Sequence, residues 1–150
     1  MKKEKLCKIL SKVVNFKYSV QADIDQKVQE IAILEKEIQD KAKTLGADKL
    51  CQKCAGRCCS YIILEGLEDN IELSYYVAKM NPDFEDLIMN NDSVKRKCLL
   101  LSEEGCLLRL NGRPRICVSY FCDVKYKIKI IDLRKKLTES FLELKGLLLR

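Results

Sequence analysis

The sequence predicts a mainly α-helical protein with a small β-hairpin, in which long N- and C-terminal helices flank a cysteine-rich centre. Three observations support this fold class. The 150 residues include 2 Pro, 6 Gly and no Trp, which disfavours a sandwich of many short strands and turns. Apolar residues recur in steps of three and four near both ends of the chain. Eight of the nine cysteines lie between those two segments, within residues 51–122.

A chain of this length forms one domain with its own core. We therefore divide a single domain, residues 1–150, into a helical arm (1–50), a cysteine-rich region (51–122) and a C-terminal helix (123–150). No run of 18 apolar residues is present, so we expect no membrane span. Lys8 and Lys12 interrupt the apolar residues after the basic N-terminus, so we expect no signal peptide and a cytoplasmic protein.

The N-terminal arm carries a heptad-like apolar stripe that Glu35 interrupts. We expect the helix to break near residues 15–19 and to end at Gly46. The stripe predicts either packing on the chain's own domain or a coiled coil with a second copy or a partner helix, and we favour the first because the three heptads are imperfect. The stripe consists of Ile24, Val28, Ile31, Ile38, Ala42 and Leu45.

Between the arm and the C-terminal helix, the sequence predicts short elements. Asn70 is a candidate N-cap for a helix at 71–80, Pro82 ends that helix, and a second short helix follows at 83–89. Residues 98–101 and 106–110 predict a β-hairpin joined across 102–105. Pro114 follows a turn and suits the first position of a helix.

The C-terminal helix is expected to begin near residue 124. Its apolar stripe would pack antiparallel on the N-terminal arm, so that the two helices hold the cysteine-rich region between them. The stripe consists of Tyr126, Ile130, Leu133, Leu137, Leu144 and Leu147.

Eight cysteines have the number and spacing of metal ligands. A C-x2-C pair folds the backbone so that both sulfurs face one ion, and Lys53 and Arg57 beside them favour the thiolate. In a reducing cytosol such a pattern indicates metal more often than disulfides. The chain has no histidine, so the ligands would be thiolates, with or without a carboxylate. The set is Cys51, Cys54, Cys58, Cys59, Cys98, Cys106, Cys117 and Cys122; Cys7 stands apart.

Spacing leaves the number of sites and the metal open. The adjacent Cys58 and Cys59 diverge on an extended backbone. Cys117 and Cys122 would lie about 140° apart around a regular helix, which favours ligands shared between segments. We expect a zinc ion, because four thiolates suit its tetrahedral geometry. Iron or a [4Fe–4S] cluster, which also takes four cysteines, is the alternative.

The cysteine pattern, together with Gly105 before Cys106 and Arg113-Pro114 before Cys117, resembles the YkgJ-type cysteine-cluster family. That family is described as a zinc- or iron-chelating domain with eight cysteines, and all eight have counterparts here across about residues 51–122. The resemblance implies a metal site rather than a defined activity. The usual family motif is C-x2-C-x2-C-C. This chain has one more residue before its adjacent pair, which leaves open whether Cys58 or Cys59 is the ligand.

Three functions are compatible with the sequence, which does not decide whether the protein is an enzyme. The favoured one is a metal-binding protein with a structural or adaptor role. The second is a metal- or iron–sulfur-dependent enzyme or redox protein, for which Glu65, Glu68 and Asp69 are candidate carboxylates. The third is nucleic-acid binding by the basic residues after position 93, which we do not favour because aromatic residues are few and no recognition motif is present.

Overall fold

The computed structural model describes residues 2–46, 66–91, 101–102, 105–106, 108, 112–114, 117 and 128–150. As the sequence predicts, the protein is mainly helical. The elements are α1 (Lys3–Asn15), α2 (Gln21–Thr44), α3 (Ile71–Met80), α4 (Phe84–Met89), β1 (Leu101–Ser102), β2 (Gly105–Cys106) and α5 (Ile131–Leu148).

The N-terminal arm consists of two helices, α1 and α2, as expected from the predicted break. Residues 16–20 separate them, and the Tyr18 hydroxyl donates to the carbonyl of Val13 (2.6 Å) across the bend. After α2, Gly46 adopts a φ of +80°, a conformation that glycine reaches without steric cost. Its N–H donates to the Lys43 carbonyl at 3.1 Å, which satisfies one of the carbonyls left open at the helix end.

Helices α2 and α5 pack antiparallel, which confirms the predicted pairing of the two ends of the chain. The hydroxyl of Ser19, just before α2, donates a hydrogen bond to the carbonyl of Arg150 (3.3 Å). About two turns further into each helix, Lys27 forms an ion pair with Glu143. The stripe of α2 is therefore buried by α5 of the same chain. The buried residues of this first core that these two helices supply are Ile24, Val28, Ile31, Ile38, Ala42, Leu137, Phe141, Leu144 and Leu148.

The stripe of α5 differs from the predicted one in two members. Phe141 is buried although the prediction omits it, and Leu148 is buried where Leu147 was expected to be. Steps of four, three and four from Leu137 lead to Phe141, Leu144 and Leu148, so the apolar face continues without a gap. Leu133 and Leu147 border the core, and Tyr126 lies outside the described residues.

Helix α3 separates the first core from a second one. Tyr75 and Tyr76 enter the first core, where the ring of Tyr76 meets that of Phe141 edge to face at 5.2 Å. Val77 and Ala78 face the second core. That core combines α1, α3 and α4 with two flanking residues and consists of Leu6, Cys7, Leu10, Leu67, Val77, Ala78, Phe84, Ile88 and Leu108.

The predicted short helices are present as α3 and α4, but Asn70 does not cap α3 through its side chain. Its amide instead donates to the Gly66 carbonyl at 2.6 Å, because residues 66–69 form a helical turn that brings this acceptor within reach. In the two short strands, Leu101 pairs with Cys106 and Ser102 with Gly105. The rest of the predicted hairpin lies outside the described residues. None of the helices in the described ranges is long and apolar enough to cross a membrane.

Candidate metal centre

Two of the eight predicted ligands, Cys106 and Cys117, lie within the described residues. Both are thiols; Cys106 is half-buried on β2 beside the second core, whereas Cys117 is exposed. Within the described ranges no three potential metal ligands come together, since the remaining ligands fall beyond them. The predicted ligands outside the described residues are Cys51, Cys54, Cys58, Cys59, Cys98 and Cys122.

Cys117 closely follows a three-residue segment, Gly112–Pro114, which we call the Gly112 turn. The N–H of Cys117 donates to the carbonyl of Pro114 at 2.9 Å, and the Pro114 ring is buried. Cys117 itself is helical, so this i to i+3 hydrogen bond fits the predicted helix start at Pro114, where a proline loses nothing because its nitrogen would have no partner there. The backbone of Cys117 is thus hydrogen-bonded to the Gly112 turn.

Asn81, between α3 and α4, holds the first residue of the Gly112 turn. Its side-chain amide donates to two carbonyls, Gly112 and Val77, each at 2.8 Å, and the side chain is fully buried. The approach is so close that a Cβ on Gly112 would lie 2.7 Å from the Asn81 Nδ2 and 2.9 Å from the Met80 Cβ. Only glycine fits at this position without displacing the end of α3.

Glu35 holds the second residue of the same turn. This carboxyl group, which interrupts the apolar stripe of α2, has 0% exposure. Its Oε1 accepts hydrogen bonds from the Tyr76 hydroxyl (3.0 Å) and from the backbone N–H of Arg113 (3.4 Å), while its Oε2 has no partner among the described residues. Burying a glutamate in an apolar helix stripe costs free energy, and the hydrogen bonds from these two donors offset part of that cost.

Burial raises the pKa of Glu35 from 4.5 to about 8. Hydrogen bonds from Tyr76 and from the Arg113 backbone, together with the Arg113 charge, act in the opposite direction but do not offset the loss of hydration. Burial and then the nearby Glu35 raise the pKa of the Tyr76 hydroxyl, so Tyr76 remains a hydrogen-bond donor. At neutral pH the Glu35 carboxyl is therefore mostly protonated.

The Arg113 side chain extends the turn toward β2. Its Nη2 lies 3.5 Å from the carbonyl of Leu108, two residues after Cys106, and its buried Nε has no partner in the part of the chain that the structure describes. Arg113 therefore contacts the helical scaffold through its backbone and the segment after Cys106 through its guanidinium group. The Gly112 turn therefore contacts Cys117 and also Leu108, which lies two residues after Cys106.

Other residues singled out by sequence have ordinary surroundings. Glu68 forms an exposed ion pair with Lys5 (3.1 Å), Asp69 is exposed on the surface, and Glu65 lies outside the described residues. The candidate carboxylates were Glu65, Glu68 and Asp69, whereas the carboxyl group that the structure places at the Gly112 turn is that of Glu35. The only sequence signal for it was the break in the apolar stripe, and Asn81 was marked only by its place before Pro82, which was predicted to end the helix.

Cys7, the ninth cysteine, is buried in the second core. Burial, followed by the charges of Glu85 and Glu4, raises the pKa of its thiol, which keeps it protonated.

We expect Cys7 to react with iodoacetamide more slowly than Cys117 in native, metal-free protein. Peptide mass spectrometry over a time course measures the two rates, and denatured protein, in which the rates should converge, is the control. Faster modification of Cys7 would contradict its buried position.

The chain matches no family model, no curated protein and no solved structure.

Proposed function

We propose that this protein binds zinc through its eight-cysteine cluster, and that the metal fastens the middle of the chain to the helical scaffold. The observation that carries the proposal is the cluster itself: eight cysteines within residues 51–122 in a chain without histidine. Thiolate ligands in sets of four are typical of structural zinc sites. The role we assign is structural or adaptor-like, in the cytoplasm, where such cysteines bind metal rather than form disulfides.

The described cysteines fit this proposal in different ways. Cys117 is exposed and Cys106 is half-buried, both as thiols, and the Gly112 turn links their segments. Cys7 is buried among apolar side chains and stands outside the set. Each tetrahedral ion requires four ligands, so Cys106 and Cys117 would supply part of a site that cysteines from other segments complete.

Zinc suits these donors because it favours tetrahedral thiolate coordination and stabilises small irregular regions. An iron ion or a [4Fe–4S] cluster accepts the same ligands and would make a redox role or enzymatic activity the better proposal. Binding of nucleic acid through the basic C-terminal part is the weakest alternative. Arg113, one of its basic residues, is half-buried and directed at backbone within the protein.

Metal content of the anaerobically purified protein tests the proposal. We expect at least one equivalent of zinc by elemental analysis and no visible colour, because zinc is a d¹⁰ ion. The Cys117→Ser variant should lose metal, whereas Cys7→Ser, the matched control, should retain it. A brown protein with a broad absorption band at roughly 400 nm would show that the bound group is an iron–sulfur cluster and not zinc. Less than one equivalent of any metal, with all thiols reactive, would refute metal binding.

A further inference from the structure

Two fully buried polar side chains from different parts of the helical scaffold bind the backbone of one short turn. Glu35 of α2 accepts the N–H of Arg113, and Asn81 at the end of α3 donates to the carbonyl of Gly112. Both have 0% exposure. Buried polar groups are costly unless they are hydrogen-bonded. Glu35 has its donors in Tyr76 of α3 and in this turn, and Asn81 has its acceptors in Val77 and in this turn.

Neither residue is required by the packing of its own helix. A leucine at position 35 would continue the apolar stripe of α2 against α5, although it would leave the Tyr76 hydroxyl and the Arg113 N–H without this acceptor. Asn81 follows the last residue of α3, where its backbone N–H already donates to the Val77 carbonyl at 3.0 Å. Its side chain adds a second bond to Val77 and reaches across to Gly112, 31 residues further along the chain.

The turn held in this way leads directly to a predicted ligand. Pro114 accepts the N–H of Cys117, and the Arg113 guanidinium group lies at 3.5 Å from the Leu108 carbonyl, two residues after Cys106. A shift of the Gly112 turn would therefore displace Cys117 and the segment after Cys106 relative to each other. Residues that orient metal ligands without touching the metal typically change its affinity 10- to 100-fold when they are removed, as an order of magnitude.

We propose that Glu35 and Asn81 are positioning residues for the metal centre, which fix the Gly112 turn on the helical scaffold so that Cys106 and Cys117 can serve as ligands. This inference rests on the proposed function. It adds to that function a specific role for a carboxyl group and an amide that lie outside the cysteine pattern, on α2 and at the end of α3.

The test compares zinc affinities of apo proteins, measured anaerobically by competition with a chromophoric chelator. Glu35→Leu removes the acceptor of the Arg113 N–H, and we expect zinc to bind about 10- to 100-fold more weakly. Glu35→Gln keeps an oxygen at the same place and should bind zinc within about threefold of the wild type, because a positioning role needs the acceptor and not the charge. Glu37→Leu, an exposed position on the same helix, is the matched control and should bind as the wild type does.

Two spectroscopic measurements separate positioning from folding. The visible absorption of the Co²⁺-substituted protein reports the geometry of thiolate ligands, and we expect it to change in Glu35→Leu but not in Glu35→Gln. Far-ultraviolet circular dichroism should show the same helix content in all three variants.

If Glu35→Leu does not fold, the zinc affinity of Gly112→Ala provides the test. The Cβ of this alanine would displace the turn from Asn81 without altering the stripe of α2, and zinc affinity should fall about tenfold.

The outcomes distinguish this inference from the proposed function. Wild-type affinity in folded Glu35→Leu, or in Gly112→Ala where that variant decides, would overturn the positioning role and leave metal binding in place. Loss of affinity in Glu35→Gln equal to that in Glu35→Leu would assign Glu35 to a charged or ligating role and overturn the inference as well. Failure of the wild type to bind zinc would overturn both proposals.

Discussion

Replacing Glu35 with Gln is expected to remove much of the pH dependence of stability between about pH 5 and pH 9. The folded protein holds the Glu35 proton up to about pH 8, whereas the ordinary pKa of the group is 4.5. Between these values the folded state binds more protons than the unfolded state, so raising the pH favours unfolding. The contribution of Glu35 to the free energy of unfolding is therefore fully present below pH 4.5 and is lost as the pH rises to about 8.

The difference of 3.5 pKa units (8 − 4.5) corresponds to a loss of at most about 5 kcal/mol in the free energy of unfolding. Among the described residues, Tyr76 and Arg113 face Glu35. The pKa of the Tyr76 hydroxyl is raised above its ordinary value of 10, so this group stays protonated throughout the range. Glu35→Gln has no proton to lose, so its stability relative to the wild type should increase steadily from pH 5 to pH 9.

Urea denaturation at several pH values, with chelator and reductant present, measures this difference. Contributions from groups that are common to both proteins, including the cysteines, cancel in the comparison. Glu37→Gln, an exposed substitution on the same helix, should follow the wild-type profile. Parallel profiles for wild type and Glu35→Gln would mean that Glu35 is ionised in the folded protein, and that its hydrogen bonds and Arg113 outweigh its burial.

The helices were predictable because their information is local. A stripe with a period of 3.6 residues identifies α2 and α5, and the same periodicity explains why each buries its stripe against the other. The exact helix ends and the individual residues of each stripe were less predictable from the sequence. Leu147 and Leu148, for example, are both apolar and adjacent, and only the packing of α5 on α2 places Leu148 in the core.

Interactions between distant parts of the chain were not predictable. The break in the stripe marked Glu35 as unusual, but its acceptor role depends on Arg113, 78 residues later. Asn81 has the sequence of a helix terminus, and nothing local reveals that its amide reaches Gly112. The cysteine spacing likewise predicts which residues are ligands without fixing how their segments meet, because that geometry depends on contacts such as those of the Gly112 turn.

Removal of the metal should lower the thermal midpoint markedly while leaving most of the helix signal at 20 °C. Within the described residues the helices have two apolar cores, formed mainly by α2, α3 and α5 and by α1, α3 and α4. The predicted ligand Cys106 packs against the second core, but most of the residues of both cores come from the helices. This differs from a zinc finger, which unfolds without its metal because it has little other core. Free metal at about 1,000 times its Kd would add about 4 kcal/mol to the stability of the whole domain, and chelation removes that term.

For a chain of 150 residues, 4 kcal/mol corresponds to a fall in the thermal midpoint of roughly 8–16 °C. Circular dichroism melts with and without chelator measure it under anaerobic, reducing conditions. Cys117→Ser should already melt near the lower temperature and respond little to chelator, whereas Cys7→Ser should respond as the wild type does. A wild-type midpoint that chelator does not change would exclude a structural role for the metal. Complete loss of the helix signal would instead show that α2 and α5 require the metal centre to remain paired, so that the cysteine cluster holds the helices together rather than being held by them.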